Sequence, residues 1–192
     1  MLNSDLWVEK ICGSSYMDNI LIDLIPSMSS DICDIGSASA SGHYNNNYPY
    51  KAFDKIGFVY PPQSQSDFSQ STAWYYEDLN EKPQTAYIQF IFKKPVRICK
   101  IEIFYNTYTT QDNSNYLYKC KVEYGNGDFS NSIGLENEIY GAMMKDNFPS
   151  GAGYNSLIIN KISDRIKHIY TNNPNGYAFP AISEFYIYGR IL

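Results

Sequence analysis

The sequence predicts an all-β sandwich of antiparallel strands, and three observations carry that expectation. Apolar and polar residues alternate with a period of two over 86–92, 96–105, 116–124 and 182–189, the pattern of strands with one buried face. Turn-forming clusters separate these stretches, among them Gly125-Asn126-Gly127-Asp128 and Asn172-Asn173-Pro174-Asn175-Gly176. No helix of convincing length is visible, and short strands at this spacing point to a sandwich. The 192 residues suit one domain of ordinary size with a well-buried core.

Taken in order, residues 1–25 differ from the rest. Ile20-Leu21-Ile22-Asp23-Leu24-Ile25 is apolar and ends at Pro26, so it reads as a strand or as a short helix starting near Ser15. We expect an attachment segment or an accessory edge strand there, with the main domain over 26–192. Small residues at Ser37-Ala38-Ser39-Ala40-Ser41 suit a strand lying close against its neighbours. Two polar loops follow, His43–Tyr50 and 55–70, the second broken by Pro61-Pro62. Between them, Tyr50-Lys51-Ala52-Phe53-Asp54 sets an apolar anchor beside a carboxylate, and Thr72-Ala73-Trp74 closes the edge.

The later strands are plainer. Ile88, Phe90 and Phe92 share one face, with Tyr87, Gln89 and Ile91 opposite. Pro95 starts the next strand, in which Cys99, Ile101, Ile103 and Tyr105 are in one phase and Val96 and Ile98 in the other. That change of phase predicts a bulge near Ile98. Tyr118, Cys120 and Val122 alternate with Lys119, Lys121 and Glu123, and lead to the tight Gly125–Asp128 turn. Residues 130–156 are ambiguous, with Gly151-Ala152-Gly153 read as loop. Two short strands, Ser156–Ile162 and Ile166–Thr171, precede a last strand over Ile182–Gly189 with Phe185 and Ile187 on one face.

Composition restricts the partners. The net charge is −5 with a pI near 5.0, so no basic field is present to hold a polyphosphate, and nucleic acid is not expected. No run approaches the roughly 18 apolar residues of a membrane span, and no basic and apolar export signal opens the chain. Cys12, Cys33, Cys99 and Cys120 are widely spaced, and we expect buried free thiols in a reducing cytosol.

Catalytic constellations are missing. Glu77 and Asp78 are adjacent, so on a strand they point to opposite faces, and Glu136 and Glu138 read as solvated charges. His168 falls inside a strand pattern and reads as a packing residue, while His43 lies in the Asn/Tyr loop. No nucleophile elbow, zinc helix or phosphate-cradling loop occurs. Binding is better supplied. Tyr44, Tyr48, Tyr60, Tyr108, Tyr177 and Phe179 offer ring faces in the loops, and Asn45, Asn46, Asn47, Asn113 and Asn175 offer amides that donate and accept. Sugar hydroxyls need that mixture, and we take Tyr44, Asn46, Tyr48, Tyr108, Asn175, Tyr177 and Phe179 as the binding set. The alternative is that these are ordinary loop and turn residues.

Ser37–Ser41, Ala52-Phe53-Asp54, Thr72-Ala73-Trp74, Ile88-Gln89-Phe90, Val96–Ile103 and the closing Ile182-Ser183-Glu184-Phe185-Tyr186-Ile187-Tyr188-Gly189 together resemble the discoidin, or coagulation-factor type C, domain. The resemblance runs from about Ile25 to the C-terminus. It implies a galactose-binding-like jelly-roll sandwich of two antiparallel sheets that holds sugars or other surface polymers in loops at one end, without chemistry. Many such domains carry a structural calcium, which here implies Asp54, Thr72 and Glu184 as metal ligands, with a loop carbonyl. Lys55 departs from the pattern, which usually has Gly after the Asp, and the loop before Thr72 is longer than usual. Asp54 and Glu184 are otherwise bonded to loop amides or paired with Lys55.

The opening Ile25-Pro26-Ser27-Met28-Ser29-Ser30 is similar to versions of this domain in bacteriophage virion proteins. That likeness implies a decoration or adhesion protein in a virion, present in many copies or as a homo-oligomer, touching host-surface glycans with its loops and other virion proteins with residues 1–25. Two alternatives stand beside it: a purely structural virion or complex component whose loops pack on neighbouring subunits, and a cellular lectin.

Overall fold

The computed structural model describes residues 21–43, 45–56, 73–75, 85–106, 119–135, 152–171 and 181–192. The strands are β1 (Ile22–Asp23), β2 (Ile32–Cys33), β3 (Gly36–Ala40), β4 (Trp74–Tyr75), β5 (Thr85–Asn106), β6 (Lys119–Gly125), β7 (Asn131–Leu135), β8 (Ala152–Thr171) and β9 (Ala181–Ile191), with one 3-10 turn at Pro49–Ala52. Every pairing among the described residues is antiparallel. Among the described residues no helix is long and apolar enough to cross a membrane.

Two long strands make the sandwich. The first half of β5 pairs β3 on one side and the second half of β8 on the other, and β8 continues to β6 and β7. The second half of β5 instead lies between the first half of β8 and β9, and β9 carries β1 and β4. Each long strand therefore turns a corner and serves both layers, as corner strands do where sheets join. In β5 the corner falls at Lys93-Lys94-Pro95, where the register shifts between Ile91 and Val96. In β8 it falls at Ser163, whose buried hydroxyl accepts from the backbone N–H of Gly125 (3.0 Å) and Arg165 (3.2 Å) and reaches their carbonyls at 2.7 and 2.6 Å. One small hydroxyl thus serves the backbone groups that the bend frees from the ladder.

The core lies between the layers. Phe53 stacks on Phe185 at 5.5 Å and meets the edge of Phe90 at 5.5 Å, and Phe90 meets Phe92 at 4.8 Å. Trp74, Ile88, Ile98, Ile101, Ile103, Ile166 and Ile187 fill the remainder. The expected alternation holds, with Ile88, Phe90 and Phe92 buried and Tyr87, Gln89 and Ile91 only half-buried. A second register shift, between Ile98 and Lys100, is the bulge that the phase change predicted. The small-residue strand has its reason too: a side chain at Gly36 would collide with the Ile91 carbonyl and the Phe90 ring.

Four expectations need correction. Pro95, expected to start a new strand, lies inside β5, which runs from Thr85 to Asn106 and bends there without ending. The two short strands expected at 156–162 and 166–171 are one strand that bends at Ser163 without ending. Ala152 and Gly153, read as loop, pair with Asn106 and Tyr105. Cys99 is disulfide-bonded, whereas Cys33 is free. Burial was legible from the apolar pattern around Cys99, but pairing depends on how closely the fold brings two Cα atoms together. In the N-terminal region, Ile22 and Asp23 pair with Gly189 and Tyr188 as an edge strand, and Leu24 and Ile25 enter the core. Residues 1–20 lie outside the described residues.

Candidate functional site

At one end of the sandwich, β3 runs out into Ser41, Gly42 and His43, and a turn at Asn45-Asn46 brings the chain to Tyr48 and the 3-10 turn. Asn45 supports that reversal with φ of 48°, a left-handed conformation that Asn tolerates better than most residues. Both flanks are fastened from below. The Trp74 indole donates to the Gly42 carbonyl at 2.9 Å, and the buried Asn47 amide donates to the Ala73 carbonyl at 2.8 Å. Asp31 adds a third tie by accepting from the Tyr50 backbone N–H at 2.8 Å.

Above these ties lies a short aromatic row. The His43 and Tyr48 rings are 4.5 Å apart and tilted, and Tyr48 stacks with Tyr50 at 6.2 Å. Tyr48 keeps 38% of its surface exposed, and His43, Asn45 and Asn46 are exposed beside it. The Asn45 carbonyl lies 2.9 Å from His43 Nδ1. A carbonyl only accepts, so in the neutral ring Nδ1 carries the proton and Nε2 remains an acceptor. The surface therefore offers a ring face, amide donors and acceptors, and an imidazole acceptor.

Of the expected binding residues, Asn46 and Tyr48 come together on this turn. Tyr44, Tyr108, Asn175, Tyr177 and Phe179 lie outside the described residues, as do Tyr60, Asn113, Thr72, Glu77, Asp78, Glu136 and Glu138. The sequence places His43 in the loop but marks it for no role. Its spacing of five from Tyr48 was visible, yet only the folded turn sets the two rings side by side.

Beneath the 3-10 turn, Asp54 and Glu184 meet behind Phe53 and Phe185. Asp54 is buried; its Oδ1 accepts from the Ile56 N–H at 2.8 Å, and its carbonyl accepts from Ser27 Oγ at 2.6 Å. Burial pushes its carboxyl up to about 6, against smaller opposing effects of the Ile56 N–H and of Lys51 and Lys55. Glu184 is fully buried, and neither carboxylate oxygen has a hydrogen-bond partner. The Lys55 backbone N–H is near enough to stabilise the anion somewhat without making a hydrogen bond to it. Burial first, and Asp54 and Asp23 in addition, drive the Glu184 carboxyl far above its ordinary range, with Lys55 opposing.

Lys55 is the member that departs from the pattern, as the sequence showed. It takes φ of 59°, the left-handed conformation that Gly adopts without cost, at the position where the discoidin pattern usually has Gly. Its ammonium forms an ion pair with Asp23 Oδ2 at 2.7 Å and lies 4.0 Å from the centre of the Tyr186 ring. Asp23 Oδ1 in turn accepts from the Ile25 and Ile187 backbone N–H groups at 3.3 and 3.4 Å. The alternative pairing of Lys55 with the site carboxylates is thus realised through a different residue, Asp23. A hard cation fits the remaining set, because Glu184 presents two buried oxygens without partners next to the Asp54 carboxyl. Among the described residues no three His, Cys, Asp or Glu side chains form a metal cluster, so any further donors are carbonyls, water or residues beyond those described.

His168 is the packing residue that its strand pattern predicted. It is fully buried on β8, its ring meets Phe185 at 6.4 Å, and burial lowers its pKa to about 4 against a hydrogen bond with the Lys121 backbone.

These features define a jelly-roll β-sandwich of the discoidin-like, galactose-binding-like fold, and solved structures agree on that fold. A Streptococcus pneumoniae fucose binding module superposes with a TM-score of 0.55 at 12% identity, covering 92% of this chain and all (100%) of that one. The lectin binding domain of Lectinolysin, complexed with Lewis b, gives 0.54 at 12% identity over 86% of this chain and 100% of that one. The family 32 carbohydrate-binding module of Clostridium perfringens NanJ, in complex with galactose, gives 0.50 at 15% identity over 80% of this chain and 93% of that one. No protein-family model matches the sequence, and no curated protein matches it.

Proposed function

We propose that this chain is a non-catalytic carbohydrate-binding module that takes sugar residues at the His43–Tyr48 end of the sandwich. The exposed Tyr48 face, held between His43 and Tyr50 on a turn fastened by Trp74 and Asn47, carries the reading. A ring whose backbone is already fixed loses little entropy when a sugar stacks on it, and the neighbouring amides orient the hydroxyls. Among the modules of similar fold, one is a fucose binding module and two are in complex with Lewis b and with galactose, and we extend that ligand class to this chain. Catalysis is not part of the reading. Asp54 and Glu184 do share raised pKa values, as glycosidase acids do, but both are buried, out of reach of a glycosidic bond.

Our finer reading is a bacteriophage virion protein, present in many copies and attached to the particle through residues 1–25 and its neighbours. It rests on the Ile25–Ser30 pattern, and the bonded Cys99 suits the surface of a particle outside the cytosol, since disulfides persist there. We also propose that Asp54 and Glu184, with Thr72 as a further ligand, hold a structural Ca2+ that would neutralise the buried carboxylates.

A glycan array probed with the multivalently displayed chain tests the binding. Selective signal on fucose- or galactose-containing glycans, lost in Tyr48→Ala, is the expected result; a blank array at high valency rejects it. Mass spectrometry of purified phage particles tests the virion reading, which fails if the chain is absent from them.

A further inference from the structure

The opposite end of the sandwich holds a different surface. Gly36 pairs with Phe92 and Ile191 with Val96, whereas Ala40 pairs with Ile88 and Ile182 with Trp74. The β5 corner is therefore at the pole away from His43 and Tyr48. At that pole a cavity of about 210 Å3 opens between Leu24, Ile35, Phe92, Val96 and Ile191, rimmed by Asp34, Lys93 and Lys94. Around it the surface stays apolar, with Ile32 72% and Ile191 71% exposed and Ile22 and Leu192 also exposed.

Size and charge select the occupant. The cavity is smaller than the roughly 300 Å3 or more of a pocket for a drug-sized ligand and suits one or two apolar side chains. Its rim carries both signs, and among the described residues neither Asp34, Lys93 nor Lys94 enters an ion pair. A two-fold axis through such a patch can set the Asp34 of one copy against the Lys93 and Lys94 of the other, twice over, and bring the exposed Ile32 of each to the cavity of its mate. We propose that two copies of this chain associate through this pole, back to back. The two sugar-binding ends then point in opposite directions, so the dimer bridges two glycan-bearing surfaces. This surface is separate from the sugar site, and failure of either reading leaves the other standing.

Sedimentation equilibrium of the full chain tests the proposal, with circular dichroism confirming that each variant is folded. A dimer is expected. Asp34→Lys alone, and the pair Lys93→Glu with Lys94→Glu, each place like charges together and weaken self-association by about tenfold or more, as does Ile32→Glu. Mixing the Asp34→Lys chain with the Lys93→Glu, Lys94→Glu chain restores pairing, because opposite charges then face each other at both rims. A monomer at the highest soluble concentration overturns the proposal. So does a dimer that none of these changes weakens.

Discussion

At the level of single residues, the decisive physics is what burial does to a charge. His168 stays neutral in the fold to about pH 4 but takes a proton near 6.5 once unfolded. Its folded pKa is depressed, so the unfolded state binds more protons between those values and stability falls as pH drops from about 6.5 to about 4. The slope approaches about 1.4 kcal/mol per pH unit in that window. Thermal melts across it are expected to lose this acid slope in His168→Gln. Glu184 has the opposite sign, because its raised pKa makes proton release, as pH rises above its ordinary value, a cost to the fold. The proposed Ca2+ would displace that proton, so millimolar Ca2+ is expected to raise Tm in the wild type, more at pH 8 than at pH 6, and to leave Glu184→Gln unmoved. An unchanged wild-type Tm at both pH values rejects the metal. Lys55→Gly removes an ammonium from the neighbourhood of the site and tightens Ca2+ binding in calorimetry. The meeting of Asp54 and Glu184 was legible through resemblance. Asp23 was not, since nothing in the sequence ties a residue in the N-terminal region to Lys55 and to the Ile187 N–H.

At the level of strands, alternation carried most of the information. The faces of β5 and the bulge near Ile98 follow from which apolar residues change phase. Continuity through a corner does not. Lys93-Lys94-Pro95 looks like a break and Ser163 like the end of a strand, because a period of two says which face is buried and nothing about where the ladder bends. Ser163→Ala strands the backbone groups of Gly125 and Arg165 in a buried place, and denaturant unfolding should show a loss of about 1–3 kcal/mol. Gly36→Ala drives a methyl group into the Ile91 carbonyl and the Phe90 ring, and overpacking of this kind costs about 1–3 kcal/mol by the same measurement. A Gly36→Ala chain as stable as the wild type would show that β3 can move off β5 freely.

At the level of the whole molecule, the two ends have different work. One displays a fastened aromatic turn, and Tyr48→Ala is expected to weaken sugar binding about tenfold with Tm unchanged, since the ring is exposed and outside the core. The other end presents Ile32, Ile191 and the rimmed cavity. The sequence showed polar, Tyr- and Asn-rich loops but not which of them converge, because convergence depends on pairings between distant segments, such as Trp74 with Ile182. Both halves of β5 and of β8 run between the ends, and inter-strand bonds lie across the strand direction. A tug between a captured surface at one end and an anchorage at the other therefore loads those bonds sideways and together, instead of peeling them one at a time. Stretched from end to end by an optical trap, the protein should resist with a single high rupture force.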